Sequence, residues 1–294
     1  MSGGAEKKGG NTAVRLGTAL VLGPLALVLI WVPALQIPLI LFVAFLVFQG
    51  LREYCGMLGA LGLPTMRRTV LAAGTCVILW NGGMVLTDWN GWASHPVVTG
   101  LSAAFMVIAV MHLLNPVHSL HALAADVFGV AYVAGLGSYL VIIHGWEGMG
   151  PGLVTLLLVA VVFSDTGAYF VGRAFGRHKL APRTSPKKSW EGAFGGVLGA
   201  VAATAVLLLL IRAFGWEASY PLAGWAVYLP LAAALSVVGQ FGDLIESMLK
   251  REAGVKDSGT LFPGHGGVLD RCDGILFAAP ALYYLFYGLI ALLG

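Results

Sequence analysis

The amino-acid sequence predicts an all-α integral membrane protein of about nine transmembrane helices with a polar site on the cytoplasmic side. Three observations carry that prediction. First, 58% of the 294 residues are hydrophobic and only 11% are charged, with a mean hydropathy of +0.86. A soluble domain carries about 25% charged residues, so this chain lacks the polar side chains to cover a surface in water and its solvent must largely be lipid. Second, apolar runs close to the roughly 20 residues that span a bilayer recur along the chain. Third, lysine and arginine fall almost entirely on one side of those runs.

Residues 1–12, opening MSGGAEKKGG, are polar and glycine-rich and are expected to form a disordered cytoplasmic tail. Residues 13–294 read as a single polytopic membrane domain, with scaffold spans over 13–150 and a chemistry-bearing part over 151–294. The run at 14–32 is long for the apolar core of a signal peptide, is interrupted by Gly23-Pro24 and lacks a clear small-residue cleavage site, so it is expected to be retained as the first span. Further spans are expected at about 35–51, 69–87, 97–114, 123–143, 152–172, 192–212, 222–249 and 272–292. The second is short and proline-flanked, and the eighth turns polar at its end.

With nine spans, the tail and the connections after the second, fourth, sixth and eighth lie on one side. That side holds 16 of the 17 Lys and Arg residues, leaving Arg212 opposite. Positive charge stays in the cytoplasm, so the N-terminus is expected there and the setting is the plasma (inner) membrane. The opposite connections at 87–96 and 144–150 carry tryptophans suited to an interfacial belt, and His144 and Glu147 there are expected to be solvated. Cys55, Cys76 and Cys272 are odd in number and form no CxxC, which excludes a disulfide frame or zinc site. His118 and His121 near Asp126 lack a matching ligand set and read as interfacial.

Intramembrane charge is sparse in the first half and gathers in three clusters in the second. In SDTGAYFVGRAFGR, 164–177, Asp165 follows an apolar helical run and Tyr169 lies four residues on, on the same face. An acid at that depth costs several kcal/mol unpaired and points to function, with a structural ion pair to Arg173 or another helix as the plainer alternative. In RTSPKKSWEGAFGG, 183–196, Ser185, Lys187, Lys188 and Ser189 precede a helix start, where free backbone N–H groups favour anions. A positive-inside anchor for lipid headgroups is the alternative there. Gly192, Gly195, Gly196 and Gly199 have small-residue spacing suited to close helix packing.

The third cluster, 239–274, is the densest. Asp243, Glu246 or Ser247, and Lys250 recur at helical spacing and line one stripe. Lys256-Asp257 and His265-Gly266-Gly267 follow in a loop whose glycines let backbone amides approach a ligand. Asp270 and Asp273 share a face of the next helix's first turn. Acids from separate helices repel one another unless a hard cation relieves them, and Mg²⁺ is commonly held by one or two carboxylates plus substrate phosphates. The surrounding Lys187, Lys188, Lys250, Arg251, Lys256 and Arg271 would hold those phosphates.

The stretch Ser247-Met-Leu-Lys250-Arg251-x4-Lys256-Asp257-x5-Pro263-x-His265-Gly266-Gly267-x2-Asp270-Arg271-x-Asp273 resembles the signature of phosphatidate cytidylyltransferases, also called CDP-diglyceride synthetases, without departure over its 27 positions. SDTGAYFVGRAFG and SPKKSWEG resemble the family as well. The resemblance implies that CTP and phosphatidate give CDP-diacylglycerol and pyrophosphate in phospholipid biosynthesis. It also implies Mg²⁺ dependence with a second monovalent cation such as K⁺, a many-helix membrane fold and a homodimer; no nucleic-acid partner is expected.

On that reading Asp243 and Asp270 are expected as principal metal ligands, with Asp165, Asp273, Glu246 and Asp257 as further ligands or neighbours. Lys250, Arg251, Lys256 and Arg271 would hold phosphates. Lys187 and Lys188, with Ser185, Ser189, Tyr169, Gly266 and Gly267, would help place the substrates, and His265 would bond a phosphate. A CTP-dependent lipid kinase or CDP-alcohol transferase needs the same parts. An ion-coupled transporter fits less well, because no internal repeat is evident and the charge gathers at one face.

Overall fold

The computed structural model describes residues 23–87, 96–215, 220, 224–261 and 266–293. The expected tail, most of the first span and His265 lie outside those residues. Helix α1 is described over 23–31, and α2 (Gln36–Ala60) follows a short 3₁₀ turn at Pro33–Leu35. Next come α3 (Arg67–Leu86), α4 (Pro96–Leu114), α5 (Leu120–His144), α6 (Gly150–Phe175), α7 (Trp190–Phe214), α8 (Trp225–Glu252) and α9 (Leu269–Leu293). Among the described residues eight helices, α2 to α9, are long and apolar enough to cross a membrane. They correspond to the second through ninth expected spans, and the molecule is an integral membrane protein.

The helices are apolar all round, as lipid-embedded helices are. In α2, Leu39, Val43, Val47, Leu51, Tyr54 and Leu58 are buried, yet Ile37, Leu41, Phe45 and Phe48 on the other faces are exposed. Exposed Leu, Phe and Met of this kind recur on α4 and α7. Without a hydrophobic drive between helices in lipid, close packing of small residues takes over. The seam between α6 and α7 shows this: a side chain at Gly167 would strike the carbonyl of Gly195, and one at Gly199 would strike that of Phe163. The small-residue spacing expected to pack helices does so.

Three local features depart from the expected pattern. Helix α5 passes through a π-helical turn over Val130–Gly135, a local widening often found near functional sites. Between α6 and α7 the chain forms an antiparallel hairpin of β1 (Lys179–Ala181) and β2 (Ser185–Ser189), paired Lys179 to Ser189 and Ala181 to Ser185. Strands this short leave no periodicity for a sequence to display, and Pro186 is tolerated because the two-stranded ribbon has free edges. His144 is half-buried and bonds the carbonyl of Ile30 at 2.9 Å instead of being solvated, because α1 packs over that end of α5.

Candidate active site

The C-terminal ends of α6 and α8, the N-terminal ends of α7 and α9, and the hairpin meet at one end of the bundle. The expected stripe on α8 forms there. Ser247 Oγ donates to Asp243 Oδ1 at 3.3 Å, one turn back, and Lys250 Nζ pairs with Glu246 Oε2 at 2.5 Å. Lys250 also reaches α9, where it donates to Asp270 Oδ1 at 2.6 Å. A buried ammonium thus sits between two carboxylates of neighbouring helices. The approach of α8 to α9 needs Gly242, since a side chain at that position would collide with the carbonyl of Asp273.

Asp270 is saturated by protein donors. Its Oδ2 accepts from Ser258 N and Gly267 N, each at 2.8 Å, and lies 2.8 Å from Ser258 Oγ, whose one proton it shares with Glu53. Gly266 has φ +81°, and a side chain there would lie 2.6 Å from Asp270 Oδ2, so this turn requires glycine. Asp273, one turn on, accepts from Gly274 N through Oδ1 at 2.7 Å and lies within electrostatic reach of Asp243, Glu246 and Asp165.

Asp165 and Asp243 line an open pocket of about 390 Å³ with Tyr169, Arg173, Lys187, Lys188 and Ser189. Lys188 Nζ pairs with Asp243 Oδ2 at 2.5 Å, tying β2 to α8. Arg173 donates to the Tyr169 hydroxyl at 3.0 Å, one turn away on α6. Lys187 is exposed at the rim and Ser185 is half-buried at the start of β2. Ser189 has a structural task within this wall: it is the N-cap of α7 and accepts from Gly192 N at 3.1 Å. An apolar groove of about 330 Å³, lined by Trp190, Phe194, Val197, Val237 and Phe241, shares Leu180, Ala193 and Gln240 with the polar pocket.

The remaining expected residues sit at the edge. Arg251 holds the carbonyls of Thr184 at 3.4 Å and Val255 at 3.3 Å, bracing the hairpin turn against the end of α8. Lys256 and Asp257 are exposed on the loop beyond α8. Arg271 is exposed on α9 and within electrostatic reach of Asp165.

The scaffold half contributes more than the sequence suggested. Glu53 of α2 accepts from Val268 N, Leu269 N and Ser258 Oγ at 2.9 to 3.0 Å. Tyr132, in the π turn of α5, lies within electrostatic reach of Glu246, Asp273 and Asp243, and its buried hydroxyl has no hydrogen-bond partner among the described residues. Asp126 is buried and binds His112 Nε2 at 2.9 Å and Met66 N at 2.8 Å, so its histidine is one that the spacing of His118 and His121 did not indicate. Their partners lie far away in the chain, where sequence spacing cannot pair them.

The carboxylate oxygens of Asp165, Asp243, Glu246 and Asp273 suit a hard cation such as the Mg²⁺ that the resemblance implies, although Lys188 and Lys250 already pair with two of them, and Glu246 Oε1 is buried without a hydrogen-bond partner among the described residues. Among those residues no three His, Cys, Asp or Glu close on one point. An ion here would therefore be completed by substrate phosphates and water, the usual arrangement for Mg²⁺.

The model of the Cytidylyltransferase family matches residues 13–289. A protein of Brucella suis named phosphatidate cytidylyltransferase is 47% identical over 163 residues, covering 55% of this chain and 57% of that protein. Proteins of the same name match from Thermotoga maritima, 37% identical over 66% of this chain and 74% of the relative, and from Staphylococcus saprophyticus, 33% identical over 84% and 89%. The chain thus spans little more than half the length of the Brucella relative and most of the other two.

Proposed function

The chain belongs to the cytidylyltransferase family, and on that premise we propose that it transfers the cytidylyl group of CTP to phosphatidate, giving CDP-diacylglycerol and pyrophosphate. The observation that carries the reading is the junction of two pockets. A polar one lined by Asp165, Asp243, Lys187 and Lys188 lies beside an apolar one between α7 and α8, with Leu180, Ala193 and Gln240 in both walls. The first matches a triphosphate and a lipid phosphate, and the second matches an acyl chain entering from the bilayer. The relatives' shared name supports the same substrates.

The chemistry asks little of a general base. A phosphate monoester has a second pKa of about 6, so most phosphatidate is a dianion at neutral pH. One of its oxygens attacks the α-phosphorus of CTP, the bond from that phosphorus to the β-phosphate oxygen breaks, and pyrophosphate leaves with the electron pair. What the protein must supply is alignment and positive charge fixed in advance. Lys187, Lys188 and Arg173 line the pocket for the phosphates, and Arg251, Lys256 and Arg271 would add positive charge from the neighbouring elements; His265, outside the described residues, would bond a phosphate. Tyr169 and Ser189 line its wall, and Ser185, Gly266 and Gly267 would help place the substrates from beside it.

One or two of Asp165, Asp243, Asp273 and Glu246 would hold Mg²⁺ together with substrate phosphates, and Asp270 would join them only by releasing Lys250. Bound Mg²⁺ supplies charge neutralisation on the triphosphate. A monovalent cation such as K⁺ belongs to the same proposal, on the resemblance alone. We place the site and the N-terminus on the cytoplasmic side of the inner membrane, where CTP is found, and take the assembly to be a homodimer.

The test is turnover by the purified protein in detergent with labelled CTP and phosphatidate. We expect pyrophosphate and a CDP-lipid, loss of turnover in EDTA, recovery with Mg²⁺, and a fall of about 100-fold or more in kcat for Asp243→Asn. CDP with a newly phosphorylated lipid would assign a kinase instead. Solute uptake into vesicles without CTP turnover would assign a transporter.

A further inference from the structure

We infer that Glu53, on the second helix and more than 200 positions from the motif it serves, is a positioning residue for the acidic first turn of α9; this rests on the proposed activity. Its carboxylate accepts three protein donors. Oε1 takes Val268 N at 2.9 Å, while Oε2 takes Leu269 N and Ser258 Oγ, both at 3.0 Å. The first amides of a helix have no partner inside it, and a carboxylate placed there also complements the helix dipole. Glu53 therefore caps α9 from another helix. Ser258 extends the contact, because its hydroxyl lies 2.8 Å from Asp270 Oδ2 and its backbone N–H donates to the same oxygen at 2.8 Å.

A continuous chain runs from Glu53 through Ser258 to Asp270, Lys250 and Glu246. The loop is built to admit Glu53. A side chain at Gly259 would lie 2.6 Å from Glu53 Oε1, and one at Gly267 would overlap both Glu53 and Ser258. Glu53 does not line the substrate pocket. Its effect on turnover passes through the orientation of Asp270 and Asp273.

Glu53→Gln tests this, because the amide keeps the shape while turning an N–H₂ toward one of the donors. We expect monodisperse protein with kcat lowered by about 10- to 100-fold, the scale of a displacement near 1 Å at reacting groups. KM for CTP should stay within about threefold, since uniform binding is untouched. Hydrogen exchange should rise at the amides of Ser258, Gly267, Val268 and Leu269 and stay unchanged in α3 and α4. Wild-type kcat in Glu53→Gln overturns the inference, as does exchange raised evenly over all helices, which marks a general staple.

If Glu53→Gln does not fold, Ser258→Ala decides. It cuts the hydroxyl bridge but keeps the cap, so lowered kcat with unchanged KM supports the chain and unchanged kcat overturns it. Absence of CDP-lipid from the wild type would remove the proposed activity, while the exchange measurement would still judge the cap.

Discussion

Lys250 concentrates the electrostatics of the site in one side chain. It is buried between Glu246 and Asp270, and its two ion pairs join α8 to α9. Removing one partner of a buried pair leaves charge uncompensated and costs about 3–5 kcal/mol. Lys250→Met is therefore expected to lower the thermal unfolding temperature in detergent and to abolish turnover, since two facing carboxylates would lose their shared cation. Adding Glu246→Gln should recover part of the stability without recovering activity. Equal stability of Lys250→Met and wild type would mean that this lysine does not hold the helices together. The pairing along α8 was legible in the sequence because Asp243, Glu246, Ser247 and Lys250 fall at helical spacing. Glu53 was not: it stands beside Arg52 at the edge of an apolar run and reads as an ordinary interfacial charge.

At the scale of elements, the α6–α7 seam and the hairpin after it set the pocket's width. Gly167, Gly195 and Gly199 bring the two backbones into contact, and Asp165 lies two residues before Gly167. Gly199→Val should force the helices apart at an overpacking cost of about 1–3 kcal/mol and lower kcat sharply by moving Asp165 away from Lys188. Ser189→Ala, at the head of the same helix, removes only an N-cap worth about 1 kcal/mol. It should shift the unfolding temperature slightly and leave kcat within a few-fold. A larger activity loss in Ser189→Ala than in Gly199→Val would mean that the hydroxyl itself contacts substrate. The glycine spacing announced the seam, because small residues at that interval have few other uses in lipid. The hairpin stayed hidden, since two strands of 3 and 5 residues are held by their pairing with one another.

At the scale of the molecule, the polar groups of the candidate site all lie at one end of the bundle. If that end is cytoplasmic, a cysteine at Lys256 in a Cys55→Ala, Cys76→Ala, Cys272→Ala background should react with a membrane-impermeant maleimide in inside-out vesicles and not in right-side-out ones. The reverse labelling would invert the topology. The sequence by itself determined the solvent, the helical class and the number and order of the described spans, because burial in lipid is written locally as runs of apolar residues of fixed length. It also determined which carboxylates and lysines share a face of α8, because helical spacing is local too. Only the tertiary structure decided which charges pair across helices. Lys188 with Asp243, Lys250 with Asp270, and Glu53 with the head of α9 are contacts between distant positions, fixed by how helices pack and by which glycines let them approach.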